Sequence, residues 1–141
     1  MILDHVGIVV KSLERGIDVW QRAFGYVPAT RPVVNTRQKV RVVFLKKEGS
    51  MLVKLIEPTD ESSPVFAMAL KGGGLHHLCF RDPDLAGALK TISVAGGRTL
   101  VEPQSGEAFE NEPIAFSYIY GLPIEVIATE KKALRVEVEP A

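Results

Sequence analysis

Two histidines and one glutamate are the side chains best suited to chemistry in this chain of 141 residues. His5 lies in an apolar run at residues 3–8, and His77 lies in another at residues 75–80, 72 positions later. Glu125 interrupts a third apolar run. A buried carboxylate is costly unless it is paired or bound to a metal. We therefore expect His5, His77 and Glu125 to converge as ligands of a metal ion.

The spacing of the two histidines recurs along the chain, which indicates an internal duplication. Three further pairs repeat at 71 or 72 positions: Gly25 with Gly96, Phe44 with Phe116, and Lys54 with Glu125. Several pairs at one offset are not expected by chance. We interpret the chain as two copies of a unit of about seventy residues.

The elements that would position these side chains follow the same order in both copies. Residues 2–10 predict a strand, and Ser12 and Gly25 predict the start and end of a helix. In the second copy, Asp82 or Asp84 caps a helix that ends at Gly96. The apolar faces of the two helices are Leu13, Ile17, Trp20 and Phe24, and Leu85, Leu89 and Ile92. Strands are predicted at 40–44, 52–56, 114–120 and 124–127.

This repeated order predicts an α+β fold, with two βαβββ repeats forming a curved mixed sheet around one cleft. Alternate residues of a strand face the same side, and the helix of each half covers one face of the sheet. The free face would carry the metal ligands. We expect one domain over residues 1–130, divided into a first half at 1–58, a connector at 59–74 and a second half at 75–130.

Three segments between or beyond these strands have their own predictions. In the connector, Ser63 and Pro64 predict the start of a short helix that runs through Lys71. Residues 102–113 are polar and acidic, which predicts a mobile loop that could act as a lid. In the tail at 131–141, Leu134, Val136 and Val138 alternate with charged residues, so this segment is expected to form an edge strand or to join a partner chain.

The duplicated unit resembles the vicinal-oxygen-chelate superfamily, which includes glyoxalases, bleomycin resistance proteins and dioxygenases. The similarity covers nearly all of residues 1–130 and is closest to the methylmalonyl-CoA epimerase-like branch. The segments that carry it are LDHVGI at 3–8, QKV at 38–40, LIEP at 55–58, SPV at 63–65, GLHH at 74–77 and IEV at 124–126.

The resemblance implies metal-assisted proton transfer on an acyl or carbonyl compound, of the isomerase, epimerase or lyase type. A divalent ion (Co, Ni, Zn, Mn or Fe) would stabilise the enolate formed when a proton leaves. The implied ligands are again the two histidines and Glu125, which is also a possible base, with Gln38 or His76 as helpers. The remaining ligand, normally Gln or Glu, would stand at Lys54, where a protonated lysine has no lone pair to offer.

Lys54 leaves several functions open. With three protein ligands the chain would remain an isomerase or lyase, in which a buried Lys54 could also act as a base. Two histidines and one carboxylate also suit an Fe(II) dioxygenase. Alternatively, Lys54 pairs with Glu125 in place of the ion, as in a metal-free ligand-binding or resistance protein. If its strand lies at an edge, the amine would simply extend to water.

Further residues are candidates for substrate binding. Arg37, Lys39 and Arg41 alternate, so they predict one strand face that either receives an anionic group or is solvated. Phe116, Tyr118 and Tyr120 alternate as well, which predicts either a pocket wall or core. The candidate substrate-binding residues are therefore Arg37, His76, Phe116 and Tyr118.

Composition limits the classes of partner. Net charge is zero, which argues against nucleic acid as a partner. Residues 1–58 nevertheless carry a net +5 and the remainder −5, so an anionic small molecule could be steered toward the first half. No apolar run reaches the length of a membrane span. With the single cysteine Cys79 and no visible signal peptide, we expect a cytoplasmic protein, and the resemblance implies a homodimer.

Overall fold

The structure, a computed structural model, describes residues 1–136. It contains nine strands, three α-helices and a short 3-10 helix at Glu107–Phe109. In chain order the elements are β1 (Ile2–Val9), α1 (Leu13–Phe24), β2 (Val27–Pro28), β3 (Val33–Asn35), β4 (Val40–Lys46), β5 (Leu52–Pro58), α2 (Phe66–Leu70), β6 (Gly74–Arg81), α3 (Leu85–Val94), β7 (Arg98–Ser105), β8 (Pro113–Ile119) and β9 (Leu122–Ile127). Among the described residues, no helix has the length and apolar character needed to cross a membrane.

All nine strands form one mixed sheet in the order β2-β4-β5-β1-β6-β9-β8-β7, with β3 paired to β4. The first strands of the two copies, β1 and β6, pair antiparallel at the centre. On either side, β5 runs parallel to β1 and β9 runs parallel to β6. The predicted α+β fold with a curved mixed sheet is confirmed, and the first copy has one more short strand than the predicted βαβββ order.

The two longer helices cover one face of the sheet. The Ser12 side chain accepts a hydrogen bond from the Arg15 amide at 3.3 Å, and Gly25 ends α1 in the left-handed conformation at φ 76°. Asp84, and not Asp82, caps α3. The apolar face of α1 packs on Val53 and Leu55, and that of α3 packs on Ile124 and Val126. Phe24 at the end of the first stripe remains half exposed.

Strand alternation then sends the intervening residues to the other face. Lys54 lies between Val53 and Leu55, and Glu125 lies between Ile124 and Val126, so both point away from the helices. A second apolar cluster covers that face and includes Val9, Phe44, Phe109 and Ile127. The candidate site is therefore built inside a core.

The connector and the segment at 102–113 differ from expectation. The short helix α2 starts at Phe66 because residues 63–65 form a turn, in which the Phe66 amide donates to the Ser63 carbonyl. Most of segment 102–113 is not a free loop, since it holds the end of β7 and the 3-10 helix. Phe109 from that helix is fully buried and anchors the segment in the core. The sequence did not indicate this burial, because Phe109 is a single aromatic residue among acidic neighbours.

The tail folds back on its own chain. The Ala133 amide donates to the Ala108 carbonyl at 2.9 Å, and the Arg31 amide donates to the Leu134 carbonyl at 2.8 Å. Arg135 forms an antiparallel bridge to Thr30, and the Val136 amide donates to the Ala29 carbonyl at 2.9 Å, so the predicted edge pairing is present only over residues 134–136. Val138, also part of that prediction, lies outside the described residues.

Candidate active site

Four side chains at the duplicated positions converge on the face that the helices leave free. His5 Nε2 lies 3.0 Å from Glu125 Oε1, and His77 Nε2 lies 3.3 Å from the same oxygen. The other carboxylate oxygen, Oε2, accepts from Lys54 Nζ at 3.4 Å. None of the four residues is more than 3% exposed. The structure thus brings the three expected ligands together and adds Lys54 to them.

The register of the central strands explains this convergence. Gly7 on β1 is paired with Lys54 on one side and with His77 on the other. In the second copy, Cys79 on β6 is paired with His5 and with Glu125. The site therefore has approximate two-fold symmetry about the β1–β6 pair. Cys79 is fully buried in the apolar cluster on this face, and burial raises the pKa of its thiol.

Gly7 makes room for the His77 ring. A Cβ atom at Gly7 would lie 2.2 Å from His77 Cε1, far inside van der Waals contact. We expect Gly7→Ala to displace the ring from Glu125 and to lower the free energy of unfolding by about 1–3 kcal/mol. Urea denaturation measures the loss, and histidine-ring NMR signals report the displacement.

The matched background for this variant is His77→Ala, which removes the ring that the new methyl group would meet. Gly7→Ala is expected to cost much less there than in the wild type, because the two substitutions act on one contact. An equal cost in both backgrounds would show that the glycine serves another purpose.

Asp4 and Lys132 extend the site behind His5, and sequence reasoning missed both. Asp4 Oδ2 lies 2.6 Å from His5 Nδ1 and 3.2 Å from Lys132 Nζ, and the lysine is 2% exposed. Burial raises the pKa of Asp4, but the hydrogen bond with His5 and the charge of Lys132 outweigh it and lower that pKa. Asp4 thereby orients the His5 ring so that Nε2 faces Glu125. The adjacency of Asp4 and His5 was a usable signal, whereas nothing marked Lys132 within the charged tail.

The electrostatics of the cluster set its protonation. Burial opposes ionisation of Glu125, but the charge of Lys54 and the hydrogen bond with His5 hold the pKa of Glu125 well below its usual range. Burial lowers the pKa of His77 to about 4. Burial, and then the charge of Lys54, also lower the pKa of His76. At neutral pH, Glu125 is therefore a carboxylate, and His77 beside it is neutral.

A cavity of about 270 Å³ opens onto this cluster. Its polar lining consists of Lys54, His76, His77 and Gln38. The rest of the wall is apolar and includes Val40, Val42, Ile56, Val65, Leu100 and Phe116. His5 and Glu125 lie behind the wall. The cavity suits a small, largely apolar group that presents a few oxygens to Lys54 and the histidines.

The structure changes the predictions for the basic residues at 37–41 and for two of the three aromatic residues. Residues 36–39 form a turn, with Lys39 at φ 54°, so Arg37, Lys39 and Arg41 share no strand face. Arg37 donates to Gln104 at 3.0 Å, while Arg41 pairs with Glu57 at 3.2 Å. Of the predicted aromatic residues, Phe116 lines the cavity. The ring of Tyr118 lies 5.7 Å from the Arg98 guanidinium and outside the cavity wall, and Tyr120 is 98% exposed.

Lys54 does not extend to water. Its strand β5 is interior, between β4 and β1, so the edge-strand alternative is wrong. The ammonium lies 5.8 Å from the centre of the Phe44 ring and 5.2 Å from that of Phe109, within the range of cation–π attraction. Two rings and one carboxylate therefore hold the amine in place.

The donor atoms of His5, His77 and Glu125 suit a metal ion, but the positive charge of Lys54 beside them does not. His5, His77 and Glu125 offer atoms within 4.8 Å of one another, and Asp4 supports His5 as carboxylates do in metal sites. His77 Nε2 is buried and has no aligned hydrogen-bond partner. However, a divalent ion about 4 Å from the Lys54 ammonium is repelled by roughly 8 kcal/mol at an effective dielectric of about 20. The charge of Lys54, 3.4 Å from Glu125, therefore opposes a divalent ion at these three donors.

Several known proteins that are similar to this chain are methylmalonyl-CoA epimerases. Residues 4–116 match the family model of the glyoxalase/bleomycin resistance protein/dioxygenase superfamily. A mitochondrial methylmalonyl-CoA epimerase from Dictyostelium discoideum is 26% identical over 132 residues, which are 92% of this chain and 78% of that protein. The predicted similarity to the methylmalonyl-CoA epimerase-like branch is confirmed.

Solved structures of methylmalonyl-CoA epimerases are similar to this chain as well. Methylmalonyl-CoA epimerase from Mycobacterium tuberculosis superposes with a TM-score of 0.77 at 30% identity, covering 89% of this chain and 86% of that one. A methylmalonyl-CoA epimerase in complex with methylmalonyl-CoA and NH4+ gives 0.78 at 27% identity, covering 96% and 97%. The prediction of an enzyme is confirmed by these relatives, and the chain belongs to the glyoxalase/bleomycin resistance protein/dioxygenase superfamily.

Proposed function

We propose that the protein is an epimerase that moves the proton at the carbon next to the thioester carbonyl of an acyl-CoA such as methylmalonyl-CoA. The observation that carries this proposal is the cavity, in which Lys54, His76 and His77 are the charged or titratable groups of an otherwise mostly apolar wall. Relatives named as methylmalonyl-CoA epimerases support the same reaction.

Lys54 would stabilise the intermediate. Removing the α-proton of a thioester places negative charge on the carbonyl oxygen, and a fixed cation or N–H donor lowers the barrier most when it is already in position. The Lys54 ammonium lines the cavity and is held by Glu125 and two aromatic rings. Glu125 lies behind the wall, so its proposed role is to position Lys54 and the two histidines.

His76 is the proposed base. Its ring lines the cavity, and the lowered pKa keeps it neutral and able to accept a proton at neutral pH. His76 Nδ1 lies 2.8 Å from His77 Nδ1, which orients the ring and leaves the other nitrogen for substrate. The protonated His76 then returns the proton to the α-carbon, and the other epimer forms when the enolate has turned its opposite face toward His76 before that return.

Gln38 and Arg37 are proposed to contact the substrate at the same end of the cavity. Gln38 lines the wall and can donate a hydrogen bond to a substrate oxygen. Arg37 directly precedes Gln38 in the turn and is exposed outside the cavity wall, so its proposed contact is with an anionic part of the thioester that extends beyond the cavity. A homodimer and a cytoplasmic location, both expected from the sequence and its resemblance, stay predictions.

The test is interconversion of the two epimers. Purified protein is incubated with single epimers of methylmalonyl-CoA and of related 2-branched acyl-CoA thioesters, and the products are separated by their stereochemistry. We expect both epimers to appear from either one. Lys90→Met changes an exposed lysine on α3 and should retain the activity. It is the matched control for Lys54→Met.

Two other outcomes identify the alternatives. A thioester that binds while its stereochemistry stays fixed would point to a binding protein. Oxygen uptake that depends on substrate and ferrous iron would point to a dioxygenase, since that reaction consumes O2 and epimerisation does not. Either result would contradict the proposed epimerase.

A further inference from the structure

We infer that the side-chain ammonium of Lys54 is the built-in cation of this site and takes the position of a divalent ion, so that the site works without a metal. The inference rests on the proposed function for its chemical consequence. The claim about the cation itself concerns only the protein and can be tested without any substrate.

The symmetry of the site carries the first step. His5 and His77 are equivalent positions of the two copies, and so are Lys54 and Glu125. Three of these four side chains offer lone pairs that metal ions accept, and the fourth offers a positive charge at 3.4 Å from Glu125 Oε2. The lysine thus supplies a cation at the corner where a donor would complete a four-ligand site.

Charge balance carries the second step. The buried acids of the cluster are Glu125 and Asp4, and the buried bases are Lys54 and Lys132. Two negative and two positive charges cancel when the histidines are neutral. A divalent ion would add two uncompensated positive charges to a site enclosed by Phe44 and Phe109. The partly exposed Arg81 also donates to Asp4 Oδ1 at 3.3 Å, so the cluster has no excess negative charge for a divalent ion to neutralise.

The chemistry of an ammonium carries the third step. It supplies positive charge and three N–H donors; one donor serves Glu125, and the Lys54 side chain also lines the cavity. A developing enolate oxygen needs such donors, and a tethered ammonium provides them without an ion to lose. In one relative, the solved complex contains NH4+ together with methylmalonyl-CoA, so an ammonium ion and this substrate are compatible in that protein.

The experiment removes the charge of Lys54 and asks whether a metal site appears. Wild type, Lys54→Gln and Lys54→Met are stripped with chelator and titrated with Co²⁺, which reports bound nitrogen and oxygen ligands by its visible absorption. Binding is confirmed by calorimetry and by metal content after desalting. Lys90→Gln is the matched control, and His5→Ala in the Lys54→Gln background removes one ligand.

We expect Lys54→Gln to bind about one Co²⁺ per chain, at least a hundredfold more tightly than wild type or Lys90→Gln. Adding His5→Ala should abolish that binding. Lys54→Met tests the same change with a side chain that adds no oxygen donor, and it decides the question if Lys54→Gln fails to fold.

Two results would overturn the inference. One is a stoichiometric metal in wild type with similar affinity in the lysine variants, which would mean that Lys54 does not exclude the ion. The other is no metal in any folded variant, which would mean that the three donors form no metal site. Neither depends on substrate, so a failed epimerase assay is distinguishable from a failed cation assignment.

Discussion

Replacing Glu125 by leucine is expected to lower the free energy of unfolding by about 3–5 kcal/mol. The carboxylate is fully buried and is the acceptor for Lys54 and the partner of His5. Without it, the lysine ammonium is left in an apolar interior with no counter-charge. Urea denaturation of Glu125→Leu measures the loss, and Glu48→Leu at an exposed turn serves as the matched control.

A second substitution distinguishes a broken ion pair from a damaged core. Adding Lys54→Leu to Glu125→Leu removes both charges, and replacement of a buried pair by apolar residues of similar volume is often neutral or stabilising. We therefore expect the double variant to recover most of the lost stability. Additive losses would contradict the pairing of these two residues, because independent sites add and coupled sites do not.

Lys54→Met is expected to slow the proposed proton transfer by about a hundredfold to a thousandfold, as loss of one preorganised donor does in other enzymes. Methionine keeps the length and flexibility of lysine but has no charge and no N–H donor. The effect should fall mainly on kcat, because the thioester oxygen becomes negative only during the reaction.

Steady-state kinetics of Lys54→Met beside Lys90→Met measures this, with circular dichroism to confirm that both variants fold. A rate within about threefold of wild type would remove Lys54 from the reaction. A rise in KM with kcat unchanged would assign it to substrate binding alone.

The sequence was sufficient to predict the fold and the convergence of the site. Repeated offsets located two copies of one unit, and period-two alternation placed His5 and Glu125 on the face opposite the helices. Both inferences depend on local pattern and on symmetry, which a single sequence contains. The helix caps at Ser12 and Gly25 were predictable for the same reason.

Other parts depend on contacts that no local pattern reports. Lys132 reaches Asp4 from 128 positions away, and the bond exists only because the tail folds back over residues 29–31. Phe109 reaches the core from an acidic segment. The turn at 36–39 was mistaken for a strand because Lys39 adopts a positive φ without being glycine.

Lys54 is the clearest case of a residue whose role could not be predicted from the sequence alone. Its type and its pairing with Glu125 were visible in the sequence, but three roles followed equally well from them. The position of β5 between two other strands excludes the water-exposed role, and the Phe44 and Phe109 rings beside the amine support the proposed role of a buried cation. Tertiary packing around β5 sets the direction of the Lys54 side chain.

Exchange of the α-proton in D2O tests the central claim most directly. Methylmalonyl-CoA is mixed with chelator-treated wild type, Lys90→Met and Lys54→Met, and the α-proton signal is followed by NMR. We predict that the signal disappears rapidly with wild type and Lys90→Met and far more slowly with Lys54→Met. An α-proton that persists with wild type, while the thioester demonstrably binds, would contradict proton transfer at this site.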